Sequence, residues 1–237
     1  MFFLSYTGIT TEASFVAIVM TILVMICFYS IKHSKRIAAP FSHTHFIYLY
    51  RTGGFILFGL IPVLVMYVIF NLKMVDFGLS FKNLTNSLIW ILGLSIPTIF
   101  LSFLISKYPK NLNFYPQIRD QEWKLQTFFL SSFTWILYLI GYEILFRGIL
   151  LFSCIEELGN LIAVLLNVLL YSIAHIPKGK QETIAAIPVG LMLCYITLST
   201  GTIWAALGIH IMMALTNEWF SFYHQKQMRF VSLKINL

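Results

Sequence analysis

Charge is scarce in this sequence. Asp and Glu number 9 and Lys and Arg 16 in 237 residues, 11% together, where soluble domains carry roughly 25%. So few charges cannot clothe a water-soluble globule, and an ordinary soluble domain is excluded. No polar stretch is long enough to be a separate domain, and neither a low-complexity tract nor an internal repeat occurs. Cysteine is nearly absent: Cys27, Cys154 and Cys194 fall inside or at the end of apolar runs without metal-ligand spacing. They are expected to be small buried apolar residues, and a disulfide scaffold or cysteine metal site is excluded. No HExxH motif is present.

What fills the chain instead is hydrophobic: 59% of residues, with mean hydropathy +0.82. Runs near the roughly 20 residues needed to cross a hydrocarbon core can be cut at 13–31, 53–72, 86–106, 128–155, 160–176, 183–200 and 202–222. The expected fold class is therefore all-α, a polytopic membrane helix bundle of about seven transmembrane helices, with residues 1–237 as a single membrane domain. The first run lacks a basic leader and a small-residue cleavage site, so it is expected to be a retained span and not a signal peptide.

Orientation follows from the basic residues. With the N-terminus outside and the C-terminus cytoplasmic, Lys32, Lys35, Arg36, Arg51, Lys107, Lys110, Arg119, Lys124, Lys178, Lys180, Lys226, Arg229 and Lys234 lie inside and only Lys73 and Lys82 outside, while Arg147 falls within the bilayer. The formal net charge of +7 then reads as topology and contact with anionic lipid headgroups, and no nucleic-acid partner is expected. The longest polar connections are 32–52 and 107–127, and the second, with aromatics among charges in NFYPQIRDQEWK, is expected to be an interfacial segment.

The first three runs hold no ionisable residue well inside. The later ones do. GYEILFRG sets Glu143 and Arg147 four residues apart, on one helical face, where each neutralises the other in lipid. His175 ends the fifth run, Glu182 opens the sixth and His210 is central in the seventh; Asn217 and Glu218 follow it toward the cytoplasmic end. A carboxylate with two imidazoles is a set that activates water and steadies an oxyanion. Each residue also has a structural reading: Glu143 with Arg147 as a helix-locking pair, His175 as a helix cap, His210 as an interhelical bond, and Glu182, Asn217 and Glu218 as interfacial residues.

The order GYEILFRG, YSIAH, IPVGL and a mid-span His in the last helix resembles the CPBP family of intramembrane proteases, which includes the CAAX prenyl proteases and the bacteriocin-processing, Abi-like proteins. The resemblance covers roughly 127–220 as a CPBP-like protease core. It implies that Glu143 and Arg147 match the second Glu and the Arg of EExxxR, that His175 matches the His of FxxxH with Tyr171 in the aromatic place, and that His210 matches the His of HxxxN. Two positions depart from the pattern. Tyr142 stands where the water-activating Glu is expected, and Ala214 stands where the oxyanion-binding Asn is expected, with Asn217 nearly a turn further on.

Catalytic roles are accordingly expected for Glu143, His175 and His210, with Arg147, Tyr142, Glu182 and Asn217 accessory. The expected function is an intramembrane endopeptidase that cleaves a membrane-associated peptide or protein with Glu/His-activated water. The alternatives are an inactive protease-fold scaffold binding a membrane partner, and a small transporter or proton relay. The family often carries a metalloprotease label; Glu143, His175 and His210 would be the ligands of a divalent ion such as zinc, but no cofactor is firmly implied and water activation without metal is the expectation. Localisation in a membrane, the bacterial inner (plasma) membrane, follows from the resemblance.

Overall fold

The computed structural model describes residues 11–231. In chain order the helices are α1 (Thr11–His33), the short α2 (Lys35–Ala38), α3 (His43–Phe55), α4 (Ile61–Phe70), α5 (Leu84–Ser106), the short α6 (Pro109–Leu112), α7 (Leu125–Glu143), α8 (Leu151–Ile173), α9 (Lys180–Thr200) and α10 (Trp204–His224). π-Helical turns at Ile56–Leu60 and Ile144–Leu150 join α3 to α4 and α7 to α8 without a break. Two short strands, β1 (Glu122–Trp123) and β2 (Arg229–Phe230), pair in parallel.

Among the described residues, five helical runs are long and apolar enough to cross a membrane: Thr11–His33, His43–Phe70, Leu84–Ser106, Leu125–Ile173 and Lys180–Thr200. The chain is an all-α integral membrane bundle. The 49-residue run covers two of the stretches cut from the sequence, and its path bends at Gly159, whose φ of 72° lies where only glycine is unstrained. α10 falls short of the same standard because His210, Asn217 and Glu218 interrupt its apolar window. Lys234, expected on the basic side, lies outside the described residues.

Two expectations need correction. Cys27 is exposed, on the outward side of α1, whereas Cys154 and Cys194 are buried as expected. The second span starts at His43 and not at 53: Ser42 caps α3, its hydroxyl accepting from the His45 amide at 3.3 Å. That extension carries Arg51 into the bundle.

Close backbone contact sets the centre of the packing. A Cβ on Gly141 of α7 would sit 2.8 Å from Phe55 Cα and 3.0 Å from its carbonyl oxygen, so the two helices meet at a distance that only a missing side chain permits. Small residues serve this purpose in membranes, where dispersion contacts replace the hydrophobic effect between helices. The aromatic rings of Phe28, Phe58, Tyr138 and Tyr142 fill the space beside this contact.

A buried ion pair ties the interfacial segment to three helices. Arg51 and Glu218, both 1% exposed, meet at 3.2 Å. Arg51 Nη1 also donates to the Ser131 carbonyl of α7 at 3.0 Å, and its guanidinium stacks 4.3 Å from the Trp135 ring centre. Gln117 completes the cluster: its side-chain oxygen accepts from Arg51 Nη2 and its backbone N–H donates to both Glu218 oxygens, each at 3.2 Å. Arg51, expected on the cytoplasmic side, and Glu218, expected as an interfacial residue, are thus buried against each other inside the bundle. Their pairing spans 167 positions in sequence, a separation at which no local pattern signals a partner.

Removing one member of such a pair strands the other in the interior. Arg51→Met is expected to cost about 3–5 kcal/mol in reversible unfolding in mixed micelles, and Arg51→Met combined with Glu218→Leu to recover much of it; equal losses in the single and double variants would contradict this account. Gly141→Val should cost about 1–3 kcal/mol by overpacking. Gly93→Ala, where a Cβ meets nothing within 4 Å, should be neutral or slightly stabilising in the same assay.

Candidate active site

α7 ends at Glu143, and the wider π-helical turn that follows carries Arg147. Asn167 of α8 supports that turn from beneath, its amide donating to the Phe146 carbonyl at 2.5 Å while its side-chain oxygen accepts from the Cys194 thiol at 3.2 Å. Glu143 and Arg147 are both fully buried. The Glu143 carboxylate divides its oxygens: Oε2 lies 3.5 Å from Arg147 Nε, and Oε1 accepts from His210 Nδ1 at 2.5 Å. The Arg147 guanidinium lies 4.2 Å over the Tyr171 ring, so this is a stacked, end-on pair and not a bidentate fork.

A cavity of about 1000 Å³ opens beside this group, with Tyr142, Tyr171, His175, Glu182, His210 and Asn217 on its wall. Glu143 and Arg147 are not part of that wall. Neighbouring helical positions point about 100° apart, so Tyr142 faces the cavity and Glu143 faces the pair behind it. Ala214 also lines the cavity and offers no hydrogen-bond donor from its side chain.

The two imidazoles share an arrangement. His175, 9% exposed at the end of α8, bonds through Nδ1 to the Tyr171 carbonyl at 2.8 Å. His210, 8% exposed in the middle of α10, gives its Nδ1 to Glu143. In both rings Nδ1 is committed and Nε2 is left for the cavity. The rings are fixed against the same two tyrosines: Tyr142 lies 6.4 Å from His175 and 5.8 Å from His210, and Tyr171 lies 4.6 Å and 6.1 Å from them, between ring centres.

Glu182 reaches the cavity from the start of α9. Its Oε2 accepts from the Tyr115 hydroxyl at 3.3 Å and lies 3.8 Å from Lys178 Nζ. Burial, then the Glu182 and Glu218 carboxylates, push the Tyr115 phenol well above its ordinary range, so it stays a donor. Tyr115 went unnoticed in the sequence, as did the contribution of Tyr29 and Ile105 to the wall. The cavity is thus not built by the C-terminal helices alone. Residues of this kind carry no sequence signal, being aromatic or apolar positions among many others.

The residues do not fit a metal. Among the described residues no group of three or more His, Cys, Asp or Glu is arranged to hold an ion. Glu143 and His210 are bonded to each other, and Glu143 is closed off from the cavity that His175 faces, so the trio that would have ligated zinc does not converge.

No curated protein and no solved structure is matched by the chain. A family model is: residues 116–216 match the one described as type II CAAX prenyl endopeptidase, Rce1-like. The matched stretch holds Tyr142, Glu143, Arg147, His175, Glu182 and His210, and ends just short of Asn217. The resemblance carried by GYEILFRG, YSIAH and His210 falls within the stretch that this model matches, and residues 116–216 are similar to an Rce1-like domain.

Proposed function

We propose that the protein is an intramembrane endopeptidase, seven-spanning with its N-terminus outside, resident in the bacterial plasma membrane, and that it cleaves a membrane-associated peptide entering the cavity. The observation that carries this reading is the pair of imidazoles, each fixed through Nδ1 and each presenting Nε2 to one cavity. The family's name speaks of prenylated CAAX tails; for this chain the substrate class is taken as a membrane-anchored peptide, prenylated or not.

Glu143, sealed behind Tyr142, does not meet the water. The base passes to His175: its neutral Nε2 takes a proton from water as the oxygen attacks the peptide carbonyl, and returns that proton to the leaving amine when the C–N bond breaks. The oxyanion is met by the Tyr142 hydroxyl, which has no partner among the described residues, with the His210 imidazole packed beside the Tyr142 ring. Glu143 is then a positioning residue. It fixes the His210 ring, as a carboxylate behind an imidazole does in other hydrolytic sites, and Arg147 holds that carboxylate from its other oxygen.

One observation favours a second reading, a scaffold that binds the peptide without cutting it: Tyr142 and Ala214 replace a carboxylate and an amide on the cavity wall. Both readings are tested by presenting membrane-anchored peptides, with and without a prenyl group, to the protein in liposomes and following products by mass spectrometry. His175→Ala should lower kcat by about 100- to 10,000-fold and His210→Ala by about 100- to 1000-fold. Glu143→Gln should lower kcat with KM unchanged, by no more than the about 100- to 1000-fold expected for loss of the His210 it positions. Peptide that crosslinks to the cavity but is never cleaved by the wild-type protein would establish the scaffold instead.

A further inference from the structure

The cavity changes character along its depth. Its inner wall is aromatic, with Trp135, Tyr138, Tyr142 and Tyr171, whereas Lys110, Lys178 and Lys180 line its outer part. The tyrosines are buried, and Lys110 and Lys180 are exposed. Glu182 is the one carboxylate among the described lining residues, and it is already engaged by Lys178 and by the Tyr115 hydroxyl. Lys110, from α6, and Lys180, from the first turn of α9, make no hydrogen bond or ion pair among the described residues. Two positive charges therefore stand unmatched at the opening of an apolar chamber, and Lys32 of α1 lies within electrostatic reach of Lys178 and Glu182. The bias of basic residues toward one side of a membrane accounts for lysines on this face of the bundle. It does not account for lysines from two separate segments on the wall of one cavity.

We infer that the cavity selects peptides bearing carboxylates immediately beyond the apolar segment it encloses, with Lys110 and Lys180 as their partners. The inference rests on the peptidase reading for the occupant being a peptide, and it does not require that the peptide be cut. Solvent-exposed pairs of this kind contribute about 2- to 5-fold each, so the two lysines together should give about tenfold in affinity at low salt. The preference should fade as ionic strength shortens the reach of charge.

The test uses the full chain in phosphatidylcholine liposomes with fluorescent peptides that share one apolar segment and differ in the flank: Asp-Glu, Asn-Gln or Lys-Lys. The acidic flank should bind about tenfold more tightly than the amide flank, and the lysine flank more weakly still. Lys110→Gln with Lys180→Gln should remove the difference, and Lys110→Arg with Lys180→Arg should keep it; thermal unfolding of each variant confirms that it is folded. An amidated C-terminus on the same peptides separates a terminal carboxylate from the side chains. Equal affinity for the three flanks, or a preference that persists without the lysines, would overturn the inference. So would loss of the preference on adding phosphatidylglycerol at fixed ionic strength, which would assign the lysines to lipid headgroups. Charge-selective binding with no cleavage would defeat the peptidase reading alone, and cleavage without charge selection would defeat this inference alone.

Discussion

An ion inside hydrocarbon has no water to turn to, so each buried charge in this bundle depends on a partner supplied by another part of the chain. Two such arrangements organise the molecule. Glu143 is held between Arg147, one turn along the same helix, and His210 of α10. Arg51 and Glu218 join α3 to α10 and take Gln117 of the interfacial segment with them. Neither cluster can be loosened in one member without exposing another, which makes the relative placement of α3, α7 and α10 a condition of burying them at all.

That constraint shapes the cavity. Because Glu143 must face Arg147 and His210, its neighbour Tyr142 is turned to the opposite space, and the wall there becomes aromatic where the family pattern has a carboxylate. The π-helical turn after Glu143 and the Asn167 amide beneath it hold this geometry. Two histidines then meet across the rings of Tyr142 and Tyr171, one anchored by a backbone carbonyl and the other by Glu143. A carboxylate that has lost access to water thus keeps a connection to the site through the imidazole it orients.

The segment between α6 and α7 is fastened from two directions. Gln117 and Arg51 hold it on the α3 and α10 side, and the Tyr115 hydroxyl reaches Glu182 of α9 on the other. It forms the outer part of the cavity wall together with Lys110, so the buried Arg51 pair, although remote from the imidazoles, supports the opening through which a peptide would pass.

Hydropathy alone determined that the chain is an α-helical membrane protein, since uninterrupted apolar runs of about 20 residues cross lipid with their backbone hydrogen bonds closed within a helix. The i,i+4 spacing of Glu143 and Arg147 was equally legible, because one helical turn brings them together whatever surrounds them. The order of Glu143, Arg147, His175 and His210 carried the family resemblance. Tertiary structure decided the rest. Whether Glu143 faces the cavity or His210, whether Arg51 and Glu218 lie at the interface or pair inside, and which tyrosines frame the imidazoles all depend on contacts between segments far apart in sequence. Periodicity records which face of a helix is apolar, but it holds no information about which other helix that face will meet.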